Sequence, residues 1–217
     1  DWHDHRATHL DPLDTWDKRN GRIFRVGPKD AKPMAPFDTS KMSSLELVSL
    51  LDHPEVWWQR EALRLLYERK DSSTAPLLVE ALDSPNTSNP VRKLWALNAS
   101  GQLNQAQLLK ALLHHDWAVR YWAIRLMGDT GSLGIDQQNA LENLAQTEEN
   151  PRVLAQLACS ARRWPENSAL GIVKILSMRS GFDRDPFLPL LIWWALETHA
   201  IKGQSTIASW IKDEAWL

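Results

Sequence analysis

The sequence predicts an all-α fold: a right-handed α-solenoid of about five helical hairpins, preceded by a short β or irregular segment. From Ser43 onward, apolar residues recur at helical spacing. Similar segments recur about every 30 residues, which is the length of one helical hairpin in solenoid proteins. Several predicted helices start where Asn or Asp precedes Pro, because the side chain caps the helix and proline needs no hydrogen bond at the first position.

The repetition is clearest in four segments that align on Ala62, Trp95, Ala123 and Ala155, in steps of 33, 28 and 32 residues. A Val-Arg core at the start of the second helix of a hairpin resembles the HEAT signature, so we expect the solenoid to be HEAT-like. No single hairpin can bury its apolar face alone, and neighbouring hairpins are therefore expected to stack around one continuous core.

Three regions follow from these patterns. Residues 1–27 form a segment in which Gly21–Val26 alternates polar and apolar residues, and this alternation predicts a strand. Residues 28–42 contain three prolines and are predicted to be a linker. Residues 43–217 form the predicted helical-repeat domain.

Helix starts and stops can be placed within that domain. Ser43 and Glu46 fit a capping box, and Asn89-Pro90, Asn150-Pro151 and Asp185-Pro186 mark later starts. Asp116 is a cap without a following proline. Gly101, Gly128 and Gly181 fall where helices are expected to end. The predicted helices span about 43–52, 55–69, 74–83, 90–100, 104–114, 117–127, 136–146, 151–163, 167–178, 186–200 and 205–214.

Composition excludes several classes of protein. The net charge is −2, so the clustered cations of a general nucleic-acid binder are missing, and we expect no nucleic-acid partner. No apolar run reaches the roughly 18–20 residues of a membrane span. The one cysteine, Cys159, excludes an internal disulfide and a Cys-x-x-Cys motif within these residues. The chain begins at Asp1 rather than Met, from which we expect a fragment of a longer protein.

A candidate metal site lies at the start of the chain. Asp1, His3 and His5 share one face of an extended segment, and His9 follows. Two imidazoles and a carboxylate are ligands for zinc or another divalent ion, so a metal-dependent enzyme is one hypothesis. The alternative, which we favour, is a polar loop whose His and Asp side chains pair with backbone groups and ions.

Arginines recur at the predicted helix starts, and a histidine pair lies at one junction between helices. We expect the arginines to form a ladder of ion pairs between neighbouring repeats; the alternative is an anion-binding groove, and with it a nucleic-acid-binding HEAT-like protein. The His114-His115-Asp116 stretch is expected to serve a helix end and a cap, and Cys159 to be a buried small apolar residue. The arginines are Arg60, Arg92, Arg120 and Arg152.

Twelve tryptophans are unusually many for a chain of this length. Trp buries a large area and is enriched at interfaces, so core packing and a docking surface are equally open interpretations. The candidates for an aromatic surface are Trp57, Trp58, Trp117, Trp122, Trp193 and Trp194, with Trp95 beside them.

Four stretches carry a family resemblance. DWHDHRATH at residues 1–9, with DTWDKRNGRIFRV at 14–26, resembles the end of a β-propeller domain. The propeller in question belongs to large bacterial haem-binding, membrane-bound-dehydrogenase-like proteins of the planctomycete type. HPEVWWQREALRLLYER at 53–69 resembles the first helical repeat after that propeller, and DPFLPLLIWWALE at 185–197 a late repeat.

The resemblance implies a parent protein with a dehydrogenase-like propeller, HEAT-like repeats and then a cytochrome c domain. Such a parent is implied to be a periplasmic or otherwise exported oxidoreductase. This chain carries only the tail of the propeller and no haem motif, so haem c is implied for a missing C-terminal domain alone and no cofactor for this chain. We therefore expect a non-catalytic scaffold that contacts neighbouring domains or a protein partner.

Overall fold

A computed structural model describes residues 26–30, 32, 35–84, 87–181 and 185–212. The chain divides into two compact units, Asp1–Asp38 and Thr39–Leu217. The described residues of the first unit contain no helix or strand, and the Val26 side chain is almost fully exposed. The predicted strand Gly21–Val26 lies, apart from Val26, outside the described residues.

The second unit is helical wherever it has regular structure, and its described residues form eleven α-helices and two short 3-10 helices. Every predicted helix is present, with ends within three residues of the prediction. The α-helices are α1 Ser44–Leu50, α2 Val56–Arg69, α3 Ala75–Asp83, α4 Pro90–Ala99, α5 Gln105–Ala111, α6 Trp117–Asp129, α7 Ile135–Thr147, α8 Pro151–Ala161, α9 Glu166–Ser177, α10 Leu188–His199 and α11 Gln204–Ile211. The 3-10 helices are Thr39–Lys41, inside the predicted linker, and Ser72–Thr74.

Side-chain caps explain most of the helix starts. Ser43 and Glu46 form the predicted capping box: the Ser43 hydroxyl accepts from the Glu46 N–H at 3.2 Å, and the Glu46 carboxylate accepts from the Ser43 N–H at 2.7 Å. Asp116 and Asn150 cap α6 and α8 as predicted. Asn89, however, makes no capping bond, because its side-chain oxygen accepts instead from the Arg92 guanidinium at 2.6 Å.

Two other boundaries differ from the prediction. Asp185 accepts from the N–H groups of Phe187 and Leu188, so α10 begins at Leu188, two residues after Pro186. Gly128 does not end a helix: it lies inside α6, where the absence of a side chain lets Ser160 of α8 approach closely. Gly101 and Gly181 do adopt positive φ, 74° and 91°, which favours glycine.

The helices pack in two groups. Helices α2, α4, α6, α8 and α10 contact one another in that order. Helices α1, α3 and α5 contact α2, α4 and α6, respectively, while α9 contacts α7, α8 and α10. The core takes buried side chains from each of α1 to α10 and is built mainly from Leu and Ala, including the fully buried Ala62 and Ala123. The order of contacts is compatible with an α-solenoid.

Candidate functional site

The predicted metal ligands cannot be placed. Asp1, His3, His5 and His9 lie outside the described residues, so the N-terminal metal site stays a prediction. Among the residues that the structure does describe, no group of three or more His, Cys, Asp or Glu side chains could hold a metal ion.

Arg120 joins two neighbouring hairpins. It lies in the first turn of α6 and forms two hydrogen-bonded contacts with the buried Glu148 carboxylate, at 2.6 and 2.8 Å. Its third nitrogen donates to the carbonyls of His114 and His115. Burial alone would raise the pKa of Glu148, but hydrogen bonds from Arg120 and from the Asn150 N–H lower it below its ordinary range.

The other predicted arginines behave differently. Arg92 donates to Asn89 within its own turn. Arg152 is exposed and its guanidinium lies over the Trp117 ring, 5.1 Å from the centroid. Arg60 is exposed and forms no ion pair with a described residue. Of the four, therefore, only Arg120 makes an inter-hairpin ion pair within the described part of the chain.

An ion pair between a buried lysine and an exposed aspartate, which the sequence patterns did not predict, joins α4 to the loop after α1. Lys93 is almost completely buried and donates to the Asp52 carboxylate, which also accepts from the Ser88 hydroxyl at 2.7 Å. Burial opposes ionisation of Asp52, but these two hydrogen bonds lower its pKa. Helical spacing in the sequence could have indicated that Lys93 is buried, since Lys93 lies one helical turn before the buried Leu97.

The histidine pair serves the turn between α5 and α6. Nδ1 of His114 accepts from the Asp116 N–H at 3.0 Å, its Nε2 lies 3.1 Å from the Leu82 carbonyl oxygen, and its ring stacks on that of His115. Asp116 in turn accepts from the Ala118 N–H. These contacts are the helix-end and capping roles that the sequence predicts.

The predicted tryptophan set divides by exposure. Trp57, Trp193 and Trp194 are exposed, whereas Trp58, Trp117 and Trp122 are half-buried. The Trp122 ring meets that of Trp95 edge to face, with centroids 4.8 Å apart. Trp164 and Trp210, outside the predicted set, are buried in the core, and the indole N–H of Trp164 donates to the Met127 carbonyl.

Two surfaces stand out for binding. The first is the α6–α8 groove, a cavity of about 390 Å³. Its lining residues are Trp117, Ala118, Tyr121, Trp122, Arg152 and Ala155. The second, the α10 face, consists of Phe187, Leu190, Trp193 and Trp194, which are 68%, 47%, 57% and 40% exposed.

Cys159 lies on α8 and is half-buried rather than fully buried. Burial raises the pKa of its thiol, and the positive charges of Arg162, Arg163 and Arg125 oppose that rise. A thiol with a raised pKa is a poor nucleophile at neutral pH, so the geometry does not favour a catalytic cysteine.

No family model matches this chain, and no curated protein or solved structure matches it significantly. The resemblance to planctomycete-type haem-binding proteins therefore stays a prediction. Within the described residues, none of the helices has the length and apolar character needed to cross a membrane.

Proposed function

We propose that this chain is a non-catalytic, HEAT-like helical-repeat scaffold that presents interaction surfaces to a neighbouring domain or protein partner. The order of helix contacts supports this proposal, because α2, α4, α6, α8 and α10 follow one another as the inner helices of stacked hairpins would. Such arrays expose extended surfaces and bind through them.

The observation that carries the proposal is the α10 face. The helix is apolar around most of its circumference, and a helix of that kind is normally covered on all sides. Here α8 and α9 contact α10, while Leu190 and Trp193 are about half exposed. Trp at the centre of an apolar patch is a common anchor of protein interfaces. A helical element of a neighbouring domain would cover this face as each inner helix covers the one before it.

The family resemblance suggests the setting. A scaffold at this position would join a dehydrogenase-like propeller to a cytochrome c domain in an exported bacterial oxidoreductase. Haem would then belong to the cytochrome domain, and this chain would set the distance between the two domains. The coding sequence on both sides of the chain tests this setting directly, because a downstream Cys-x-x-Cys-His motif is expected.

The binding experiment uses two matched variants. Trp193→Glu places a charge in the α10 face, and Trp57→Glu places one at a similarly exposed Trp on α2, 52% against 57% exposed. The chain and the domain encoded after it are produced separately, and their association is measured by isothermal titration calorimetry. Trp193→Glu is expected to weaken binding at least about tenfold, and Trp57→Glu to leave it unchanged. Equal effects of the two variants, or no association at all, would contradict the proposal.

Metal analysis tests the enzymatic alternative. Mass-spectrometric metal determination on the purified chain is compared with that on a His3→Ala/His5→Ala variant. One tightly bound ion per chain, lost in the variant and accompanied by turnover, would replace the scaffold proposal with a metal-dependent enzyme.

A further inference from the structure

Three exposed arginines form no ion pair with a described carboxylate: Arg125 of α6, Arg152 of α8, and Arg162, the residue that follows α8. By contrast, nearby Arg163 pairs with Asp129, and Arg120 with Glu148. An arginine without a carboxylate partner keeps its guanidinium N–H groups available for an incoming anion.

Each of these arginines lies over a tryptophan ring. The guanidinium carbons of Arg152, Arg125 and Arg162 lie 5.1, 5.5 and 5.9 Å from the ring centroids of Trp117, Trp122 and Trp194, respectively. Stacking fixes the plane of a guanidinium and leaves its edge free to donate two parallel hydrogen bonds to a carboxylate. Arg162 also donates from Nε to the Thr198 hydroxyl at 3.3 Å, which leaves its two terminal nitrogens for an anion. The three pairs are therefore pre-organised to bind carboxylates.

The α6–α8 groove lies beside the first of these pairs. Ala118 and Ala155 leave space between the helices, and the rings of Trp117, Tyr121 and Trp122 line it. At about 390 Å³, the groove has room for an apolar side chain of a ligand next to the Arg152 guanidinium.

The spacing of the arginines sets the length of the ligand. Arg152 lies in the first turn of α8 and Arg162 is its C-cap, ten residues later, which corresponds to about 15 Å along the helix axis at 1.5 Å per residue. An extended peptide advances about 3.3 Å per residue, so carboxylates four or five residues apart span the same distance.

From this arrangement we propose that the exposed surface of α6 and α8 binds an extended acidic peptide segment of a partner protein. Two carboxylates, four or five residues apart, would pair with Arg152 and Arg162, and an apolar side chain between them would enter the α6–α8 groove. The inference rests on the proposed scaffold role. The peptide surface meets the α10 face at Trp194, the ring beneath Arg162, but Arg152 and Trp193 each belong to one surface alone, so variants at these two positions test the two proposals separately.

Charge favours a peptide over a nucleic acid. Binding to a phosphate backbone gains affinity from many neutralised phosphates along an extended basic surface. Among the described residues, the arginines that lie over tryptophan rings are Arg125, Arg152 and Arg162, on α6 and at the two ends of α8, and the whole chain has a net charge of −2. A short segment with few negative charges matches this localised cluster better than a polyanion does.

The test uses a fluorescein-labelled, amidated peptide, Glu-Leu-Ala-Gly-Ala-Glu, titrated with the whole chain and followed by fluorescence anisotropy. Its control is the same peptide with Gln in place of both Glu residues, and a fluorescein-labelled single-stranded oligothymidylate is titrated in parallel. Arg152→Gln is the test variant. Arg60→Gln is the matched control, because Arg60 is an exposed arginine of α2 without an ion pair to a described residue.

We expect the acidic peptide to bind, the Gln peptide to bind at least about tenfold more weakly, and Arg152→Gln to lower affinity about tenfold while Arg60→Gln leaves it unchanged. Thermal unfolding of both variants within a few degrees of the wild-type chain would show that the loss is local. Equal binding of the two peptides, equal effects of the two variants, or binding of the oligothymidylate in preference to the acidic peptide would each overturn the proposal.

Discussion

Arg120 holds the carboxylate of Glu148, 28 residues further along the chain, through two parallel contacts: Nε to Oε2 at 2.6 Å and Nη2 to Oε1 at 2.8 Å. The Glu148 side chain is only 4% exposed and also accepts from the Asn150 N–H at 2.9 Å. The pair connects the first turn of α6 with the loop before α8, so it fixes one hairpin against the next.

Removing Arg120 should therefore destabilise the fold. Arg120→Ala leaves the Glu148 carboxylate buried without its cation, and the expected loss in free energy of unfolding is about 3 kcal/mol. Urea unfolding followed by circular dichroism measures this loss. Arg60→Ala, at an exposed position, is the control and should change the free energy by less than about 0.5 kcal/mol. Similar losses in both variants would show that the Arg120 pair is not a special source of stability.

Acid should weaken the ion pairs of Glu148 and Asp52. The pKa values of Glu148 and Asp52 are lowered from 4.5 and 3.8 in the folded chain, since both carboxylates accept hydrogen bonds from cations. A lowered folded-state pKa means that the stabilisation is fully present above the ordinary pKa and is lost as pH falls through the folded value. The urea midpoint should therefore be steady above about pH 5 and fall below about pH 4.5.

The Glu148→Gln variant isolates one of these groups. It cannot titrate at position 148, so the fall of its urea midpoint between pH 5 and the acid limit should be shallower than that of the wild-type chain. Identical pH profiles for the two proteins would contradict the assignment of acid sensitivity to Glu148.

Two glycines inside helices should respond in opposite directions to alanine. A Cβ at Gly128 of α6 would lie 2.8 Å from Oγ of the fully buried Ser160, so Gly128→Ala should lower the free energy of unfolding by about 1–3 kcal/mol. At Gly171 of α9, a Cβ would meet only the end of the Glu142 side chain, which can move. Gly171→Ala should therefore raise the free energy by about 0.5–1 kcal/mol through better helix propensity. Thermal and urea unfolding of the Gly128→Ala and Gly171→Ala variants measures both changes. A stabilising effect of Gly128→Ala would contradict the close packing of α6 on α8.

The thiol of Cys159 should react slowly in the folded chain. Burial raises its pKa above the ordinary value of 9.0, despite the opposing charge of nearby arginines, and the thiolate is the reactive form. Alkylation by iodoacetamide at about pH 8, followed by mass spectrometry, should be at least about tenfold slower than for a small thiol. Unfolding in urea should restore the ordinary rate. A native rate equal to that of the small thiol would mean that Cys159 is more accessible than its position on α8 indicates.

Local sequence signals were sufficient to predict the eleven helices. Caps such as Ser43 and Asn150 bind backbone groups two or three residues away. The spacing of apolar residues indicates a helix within a few turns. Both patterns can therefore be recognised from the sequence alone. A predicted cap is absent where another nearby group binds the capping side chain. The Asn89 side-chain oxygen accepts from Arg92 instead of capping α4.

The site residues depended much more on tertiary packing. Arg120 and Arg152 occupy equivalent motif positions, yet one pairs with Glu148 and the other stacks on Trp117. Periodicity also left open which tryptophans would be covered, since Trp164 is buried and Trp193 exposed. These outcomes depend on which helix lies opposite a side chain.

By itself, then, the sequence determined that the described residues between Ser44 and Ile211 form a succession of short helices, and where each helix begins and ends to within a few residues. It also determined that the chain has no excess of basic charge. Only the tertiary structure decided that Lys93 would be buried against Asp52, and that Arg125, Arg152 and Arg162 would remain exposed over tryptophan rings. The physical reason is the separation in sequence between the groups that interact. Helix formation depends on neighbours within about four residues, whereas ion pairs, burial and exposed surfaces depend on groups that are distant in sequence and meet only when the hairpins pack.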